Sequence, residues 1–250
     1  MKIIPNLITL AALCFGCLSL MAVMDGVLSQ AALFIFIALM LDLLDGFAAR
    51  VLKAGSELGK QLDSLSDMVS FGVAPALLMY SYSDSVIEVG AFENDPILSL
   101  VPYLSFAIAI CAALRLAKFN ITDQAAAFSG IPSPLAAIMF AAIPIVEEAW
   151  RQHKLPVLSQ TLIDAISNLS PSILLILLGL AIISISLLMV INFPVLNLKF
   201  KSFKWQTNEL RYLFLAGLAI CFIVFGWLAL FIGSIFYIAL SPAIWNRKSK

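Results

Sequence analysis

Four aspartates in one short stretch are the residues of this chain best suited to chemistry: Asp42, Asp45, Asp63 and Asp67. The surrounding sequence is strongly apolar, and carboxylates in or beside a membrane are costly and rarely occur without a function. The first two are spaced i,i+3 and the last two i,i+4, so each pair shares one face if its segment is helical. Carboxylate oxygens suit hard divalent cations. The sequence therefore predicts a cation site between two helix ends.

The segment between the two pairs contains groups suited to binding a phosphate. Gly46 and Gly59 permit close approach of backbone to a ligand, and Arg50 supplies a fixed positive charge. Two-metal sites act on phosphoryl groups, and Mg²⁺ or Mn²⁺ fits an oxygen-only ligand set. A carboxylate that is not needed for ligation can take a proton from an attacking hydroxyl. We therefore expect two divalent cations and a phosphoryl-type transfer.

The composition predicts the elements that position these residues. The chain is 62% hydrophobic and 12% charged, with a mean hydropathy of +1.03, which excludes an ordinary soluble domain. We predict an all-α, polytopic membrane helix bundle that forms a single domain over 1–250. Spans of ~20 residues are predicted at 7–25, 30–49, 64–82, 97–117, 132–147 and 171–192. The run 211–245 contains Gly226 and Gly233 and favours a tight hairpin, giving eight transmembrane helices; seven, or six plus re-entrant segments, are the alternatives.

The basic residues predict the orientation of the bundle, because lysine and arginine concentrate on the cytoplasmic side. With a cytoplasmic N-terminus, only Arg151 and Lys154 of the fifteen basic residues fall outside. Both termini and all four aspartates are then cytoplasmic, on the side where nucleotides are available. The basic, aromatic loop 193–210 is expected at lipid headgroups, with no nucleic-acid partner. Segment 157–169 is expected to form a short surface helix.

The order of these residues resembles a known family signature. Asp42-x-x-Asp45-Gly46-x-x-Ala49-Arg50, eight residues, and Gly59-x-x-x-Asp63-x-x-x-Asp67 match that of the CDP-alcohol phosphotransferase family without departure. The resemblance implies membrane enzymes that displace CMP from a CDP-linked donor with an alcohol, and it suggests a homodimer. It implies that Asp42, Asp45 and Asp63 ligate the metals and that Asp67 completes the site and acts as general base. The implied contacts to the CDP donor are Asn6, Thr9, Gly46, Arg50, Ser56 and Gly59.

Three further stretches resemble the phosphatidylserine synthase branch of that family: Ser66–Pro75, Leu114–Asn120 and Phe128–Pro134. This branch implies CDP-diacylglycerol and L-serine as substrates, within membrane lipid. A serine pocket needs a cation for the carboxylate, for which Arg115 is suited, and polar groups such as Asn120, Ser129 and Ser133. Lys118 departs from the arginine that the branch commonly has there. The resemblance covers roughly 1–140, the predicted catalytic core, and leaves 141–250 as additional transmembrane helices.

Other functions stay open at this point. The same chemistry with glycerol 3-phosphate or an inositol phosphate as acceptor requires a denser cationic pocket than Arg115 and Lys118 offer. A divalent-cation transporter would use the aspartates as a pathway, but such a path should cross the membrane, whereas these aspartates are predicted at its inner face. A non-catalytic lipid-binding scaffold would tolerate loss of Asp67.

Overall fold

The computed structural model describes residues 3–92, 94–121, 130–192 and 216–248. Every regular element within these ranges is helical. Ten α-helices follow one another: α1 Ile3–Met24, α2 Leu28–Val51, α3 Glu57–Asp67, α4 Ala74–Gly90, α5 Phe106–Ile121, α6 Ser133–Arg151, α7 Val157–Ser167, α8 Pro171–Val190, α9 Ala216–Phe225 and α10 Leu228–Lys248. A π-helical turn, Met68–Val73, joins α3 to α4, and two 3₁₀ turns, Leu98–Leu100 and Pro102–Ser105, lead into α5. The prediction of an all-α bundle is confirmed.

Six segments of the described chain are long and apolar enough to cross a membrane: α1, α2, Glu57–Gly90, Leu98–Ile121, α6 and α8. They correspond to the six spans predicted before the C-terminal run, and the protein is a polytopic membrane protein. The third is longer than the predicted 64–82. It starts early because the Ser56 hydroxyl caps α3 by accepting a hydrogen bond from the Gly59 amide at 3.0 Å, which satisfies one of the free amides of the first turn.

The C-terminal helices α9 and α10 form the predicted tight hairpin. Gly226 turns the chain between them with φ +58°, a backbone conformation that glycine adopts without steric cost. The turn lies against the first turn of α7, since the Ser159 hydroxyl donates to the Phe225 carbonyl at 2.8 Å. The expected short helix in 157–169 is α7. Helix α9 and the apolar stretch Leu228–Ala239 of α10 are each shorter than the six spans above.

Small residues let α1 pack closely against α2 and the π turn. Ser19 is fully buried and donates to the Ala31 carbonyl at 2.9 Å, as expected for close helix contacts in membranes. A Cβ atom on Gly16 would lie only 2.5 Å from the Ser70 hydroxyl oxygen, so a larger residue cannot replace this glycine without movement. Beneath this contact lies the main core, which includes Ile35, Phe71 and Phe140. The tight packing fixes α1 relative to the two segments that carry the aspartates.

Candidate active site

Three of the four aspartates come together between the C-terminal half of α2 and the C-terminal half of α3. Asp42 on α2 and Asp63 and Asp67 on α3 each offer one carboxylate oxygen, and these atoms all lie within 4.8 Å of one another. The i,i+4 spacing on α3 puts its two carboxylates on one face, and the side chain of Asp42 interacts with both. All three side chains are partly buried. The geometry therefore creates a compact group of oxygen ligands.

This group fits a divalent cation on physical grounds. Two ionised carboxylates whose oxygens lie within 4.8 Å of each other repel by about 3.5 kcal/mol or more at an effective dielectric constant of 20. In the described part of the chain, no lysine or arginine lies within ion-pair distance of them; the ion pair found there joins Arg151 to Glu147. A hard cation would offset the repulsion, and an all-oxygen ligand set suits Mg²⁺ or Mn²⁺. The residues present thus match the predicted kind of cofactor.

Asp45 has different surroundings from the other three aspartates. Its carboxylate is 5% exposed and accepts a hydrogen bond from the Thr9 hydroxyl at 2.5 Å. Thr9 is equally buried, and its hydroxyl also lies 3.0 Å from the Pro5 carbonyl oxygen. Asp45 is not a member of the three-residue group, although it interacts electrostatically with Asp63. The structure therefore joins two residues that the sequence assigned to different tasks, one to the metal and one to the nucleotide.

The other residues predicted to contact the CDP donor lie on either side of the turn between α2 and α3: Gly46 and Arg50 near the end of α2, Ser56 and Gly59 at the start of α3, and Asn6 on α1. The Arg50 guanidinium is exposed, and its Nε donates to the Gly46 carbonyl at 2.9 Å. On the α3 side, a Cβ atom on Gly59 would lie 2.9 Å from Asn6 Oδ1 and 3.1 Å from the Ser56 hydroxyl. Gly59 thus allows α3 to approach the start of α1. Ser56 is occupied as the cap of α3, a role that the sequence did not predict.

Of the residues predicted for the acceptor, Arg115 and Ser133 come together beside the carboxylates. Arg115 Nη1 lies 3.5 Å from the Ser133 hydroxyl, which is fully buried. Arg115 also interacts electrostatically with Asp67, and its buried Nε has no hydrogen-bond partner among the described residues. A buried donor without a partner is costly, and an anionic ligand at this guanidinium would offset that cost. Ser129 lies outside the described residues.

Asn120, also predicted for the acceptor, has a partner within the protein. Its side-chain amide donates to the Ser64 hydroxyl at 3.0 Å, and Ser64 immediately follows Asp63 on α3. The contact ties the end of α5 to the helix that carries two carboxylates. Asn120 is therefore placed to hold α3 in position, whatever it contributes to an acceptor.

Two serines that sequence reasoning missed attach α3 and the π turn to α1. The Ser66 hydroxyl donates to the Thr9 carbonyl at 3.2 Å, and the Ser70 hydroxyl donates to the Ala12 carbonyl at 3.3 Å. Both serines are buried. Their i,i+4 spacing on either side of Asp67, in an apolar segment, was the available signal. Irregular π turns frequently occur at functional sites, and here the turn begins one residue after Asp67.

The sequence of this chain is similar to known enzymes over the part that carries the site. It is 39% identical over 137 residues to the CDP-diacylglycerol–serine O-phosphatidyltransferase of Bacillus subtilis, a match that covers 54% of this chain and 72% of that protein. It is 39% identical over 140 residues to the archaetidylserine synthase of Methanothermobacter thermautotrophicus, covering 54% of each chain. The Helicobacter pylori CDP-diacylglycerol–serine O-phosphatidyltransferase is 36% identical over 138 residues, again with 54% of each covered.

The chain thus spans about half the length of two of these relatives and somewhat under three quarters of the third. A family model, the CDP-alcohol phosphatidyltransferase, matches residues 2–166. That range contains all four aspartates, the turn between their helices, Arg115 and Ser133, and it ends before α8. The protein belongs to the CDP-alcohol phosphatidyltransferase family.

Proposed function

We propose that this protein transfers the phosphatidyl group of CDP-diacylglycerol to the hydroxyl of L-serine, giving phosphatidylserine and CMP. The observation that carries the proposal is the group of three carboxylates within 4.8 Å with Arg115 beside Asp67. A phosphoryl transfer needs negative charge to be neutralised at the diphosphate, a group to accept a proton and a cation for the acceptor's carboxylate. The described residues supply candidates for each of these needs.

Asp42, Asp63 and Asp67 would hold a divalent cation, with Asp45 as the predicted fourth ligand of a pair of cations. When bound, such cations neutralise the diphosphate and stabilise charge that develops in the transition state. The Thr9 hydroxyl orients Asp45 through its 2.5 Å hydrogen bond. Partners of this kind fix ligand geometry at metal sites.

The bond changes assign one task to Asp67. The serine hydroxyl oxygen forms a bond to the phosphorus that carries diacylglycerol, and the bond from that phosphorus to the CMP oxygen breaks. The hydroxyl proton passes to the Asp67 carboxylate, and CMP leaves with the bonding electron pair. Asp67 is suited to this because it lies on the side of the group that faces Arg115. General-base assistance of this kind contributes about 10²–10⁴-fold.

The donor and acceptor would approach from different sides of the carboxylates. Asn6, Gly59 and Ser56 lie together, and Arg50 lies exposed beside Gly46, so we assign the cytidine diphosphate to this side. Arg115 and Ser133 would receive the serine, with the free Nε of Arg115 pairing its carboxylate. Lipid tails would lie between helices at the bilayer.

Serine is preferred over other acceptors for two reasons. The names of all three relatives given above contain serine, whereas their lipid parts differ, one naming archaetidylserine. A phosphorylated acceptor would also need more cations than Arg115, which interacts electrostatically with Asp67, provides. Lys118 is directed to Asn192, whose side-chain oxygen lies 3.3 Å away. Serine is therefore the acceptor that we propose.

The test is CMP release by the purified protein in mixed micelles. CDP-diacylglycerol with Mn²⁺ or Mg²⁺ is supplied with L-serine, glycerol 3-phosphate or inositol phosphate in parallel. We expect release that depends on serine and stops in EDTA. Release with a different acceptor would refute the serine assignment, and no release with any acceptor would refute the transferase. Cation uptake into proteoliposomes, measured in parallel, would instead support a transporter.

We propose further that the site faces the cytoplasm. The proposal is supported by the basic residues Arg50, Arg115 and Lys118, which lie at the same end of the bundle as the aspartates. Thiol labelling of Lys53→Cys in right-side-out and inverted vesicles tests it, with labelling by an impermeant reagent expected only in inverted vesicles. A homodimer stays a prediction from the family resemblance, and sedimentation of the detergent-solubilised protein is its measurement.

A further inference from the structure

The C-terminal end of α8 contacts both described flanks of the connection between α5 and α6. On the α6 side, the Ile131 amide donates to the Leu188 carbonyl at 2.9 Å. On the α5 side, the Lys118 ammonium donates to Asn192 Oδ1 at 3.3 Å. The last four carbonyls of a helix have no partner within that helix. The α6 flank therefore caps α8 from outside, while Lys118 brings a positive charge to the end where the helix dipole is negative.

Gly130 makes this contact possible. Its φ is +83°, in the left-handed region that other residues adopt at a cost. A Cβ atom there would lie 2.5 Å from the Met189 carbonyl oxygen and 3.1 Å from that of Ile191. These are backbone atoms at a helix end, so they cannot rotate away as a side chain would. Glycine is thus required both by the conformation and by the space.

The contact determines where the acceptor side of the site lies. Ile131 is fully buried, and Ser133 two residues later begins α6 and is 3.5 Å from Arg115 Nη1. Arg115 precedes Lys118 by less than one helical turn. The end of α8 is thereby connected to both members of the Arg115–Ser133 pair, through one short segment on each flank. Yet α8 lies outside the range 2–166 that matches the family.

We infer that the end of α8 and Gly130 form a positioning device that sets the acceptor pocket and thereby the affinity for serine. This inference rests on the proposed function for the identity of the acceptor. It assigns to α8 a task in the reaction besides spanning the membrane. Gly130 is proposed to contact no substrate and to act by positioning Ser133 and Arg115.

The test compares three glycine variants by steady-state kinetics. Gly130→Ala introduces both the backbone strain and the collision, and Gly130→Asn mainly the collision, because asparagine tolerates positive φ. Gly26→Ala is the matched control, since Gly26 has φ +74° with nothing within 4 Å of the added Cβ. We expect both Gly130 variants to raise KM for serine about tenfold or more, given that a misplacement of 1 Å can cost on the order of 100-fold. KM for CDP-diacylglycerol should change less than twofold, and Gly26→Ala should change neither.

A purely structural role would give a different result. Loss of folded protein lowers kcat and leaves both KM values unchanged, and general damage raises both KM values together; either result overturns the inference. If Gly130→Ala is not recovered folded, Asn192→Ala decides. It removes the side-chain oxygen that accepts from Lys118, and we expect KM for serine to rise about twofold, as for one modest hydrogen bond. An unchanged KM for serine in that variant would also refute the inference.

Hydrogen exchange separates this inference from the proposed function. In Gly130→Asn, the peptide that contains the Ile131 amide should lose protection, while peptides from α1 and α2 keep theirs. Protection retained at Ile131 refutes the positioning device whatever the enzyme does. If CMP release by the wild-type protein does not depend on serine, the serine assignment is refuted instead. If protection at Ile131 is lost without any change in the KM for serine, the proposed effect of the Gly130 contact on the acceptor pocket is refuted.

Discussion

Replacing Asp63 by asparagine should stabilise the cation-free protein and abolish its response to cations. At a pH at which all three are ionised, carboxylates within 4.8 Å of one another form three repulsive pairs, each about 3.5 kcal/mol or more at an effective dielectric constant of 20. Asp63→Asn removes two of the three pairs, a gross relief of about 7 kcal/mol. Because these side chains are partly exposed, water and mobile ions screen much of it.

The expected shifts are measurable by thermal unfolding in detergent. If roughly 2 kcal/mol of the relief survives screening, the Tm of Asp63→Asn in EDTA should exceed that of the wild type by about 4–8 °C for a chain of this length. Adding cation at about 100 times its Kd stabilises the wild type by about 2.7 kcal/mol. The wild-type Tm should therefore rise with Mn²⁺ or Mg²⁺ and that of the variant should not. CMP release by the variant should fall by about 100-fold or more.

Asp25→Asn is the matched control, since Asp25 is exposed at the turn between α1 and α2, at the other end of α1 from Thr9. It should alter neither the Tm in EDTA nor the cation response. Two results would refute the reasoning. A Tm of Asp63→Asn in EDTA at or below the wild-type value would mean that the carboxylates do not repel one another appreciably. A cation-dependent rise that persists in the variant would mean that the cation binds elsewhere.

Three other predictions follow from the same contacts. Asp67→Asn should lower CMP release by about 10²–10⁴-fold with the fold intact, and retained turnover would exclude it as the base. Thr9→Val should lower the free energy of unfolding by about 1.5–3 kcal/mol, because it deletes a buried hydrogen bond to the Asp45 carboxylate. Thr9→Ser keeps the hydroxyl and should retain most of that stability. An equal loss in both variants would count against the hydrogen bond as the cause. The backbone amides of Leu98 and Ile97 donate to the Asp95 carboxylate and lower its pKa below the ordinary 3.8. The carboxylate therefore stabilises that turn at pH values above 3.8, and this stabilisation is lost as pH falls through the lowered pKa. Amide exchange corrected for intrinsic rates should show this loss, and Asp95→Asn should show no such pH dependence.

Much of the architecture followed from simple periodicity and hydropathy. Long apolar runs specify membrane helices with little ambiguity, because backbone polar groups inside lipid must be satisfied within the segment. The limits of the third span were predicted less well. Hydropathy does not detect α3, whose polar residues face the site, and its start depends on the local cap at Ser56. The turn at Gly226 was predictable because few other signals interrupt the last apolar run.

The candidate site was predictable in its residue types and less so in its pairings. Spacing alone placed Asp63 and Asp67 on one face, and they are together. Nothing local distinguishes Asp45 from Asp42, however; the difference arises because Thr9, 36 positions earlier in the chain, reaches one and not the other. The Ile131–Leu188 hydrogen bond is equally non-local. Contacts of this kind depend on how helices pack, which no motif in a single sequence records.

The hydrogen bonds of α1 show why its first turns belong to the site and not only to the membrane anchor. One turn of this helix donates a hydroxyl to Asp45, and its carbonyls accept from Ser66 and Ser70, which flank Asp67. Both helices that carry the aspartates are thus hydrogen-bonded to one other helix, α1. These bonds would break if α1 slid relative to α3, and Gly16 packs against the π turn with no room for an added Cβ atom. A displacement of α1 would therefore move Asp45 and Asp67 relative to each other, so the distance between a cation ligand and the proposed base is set by a helix that carries neither.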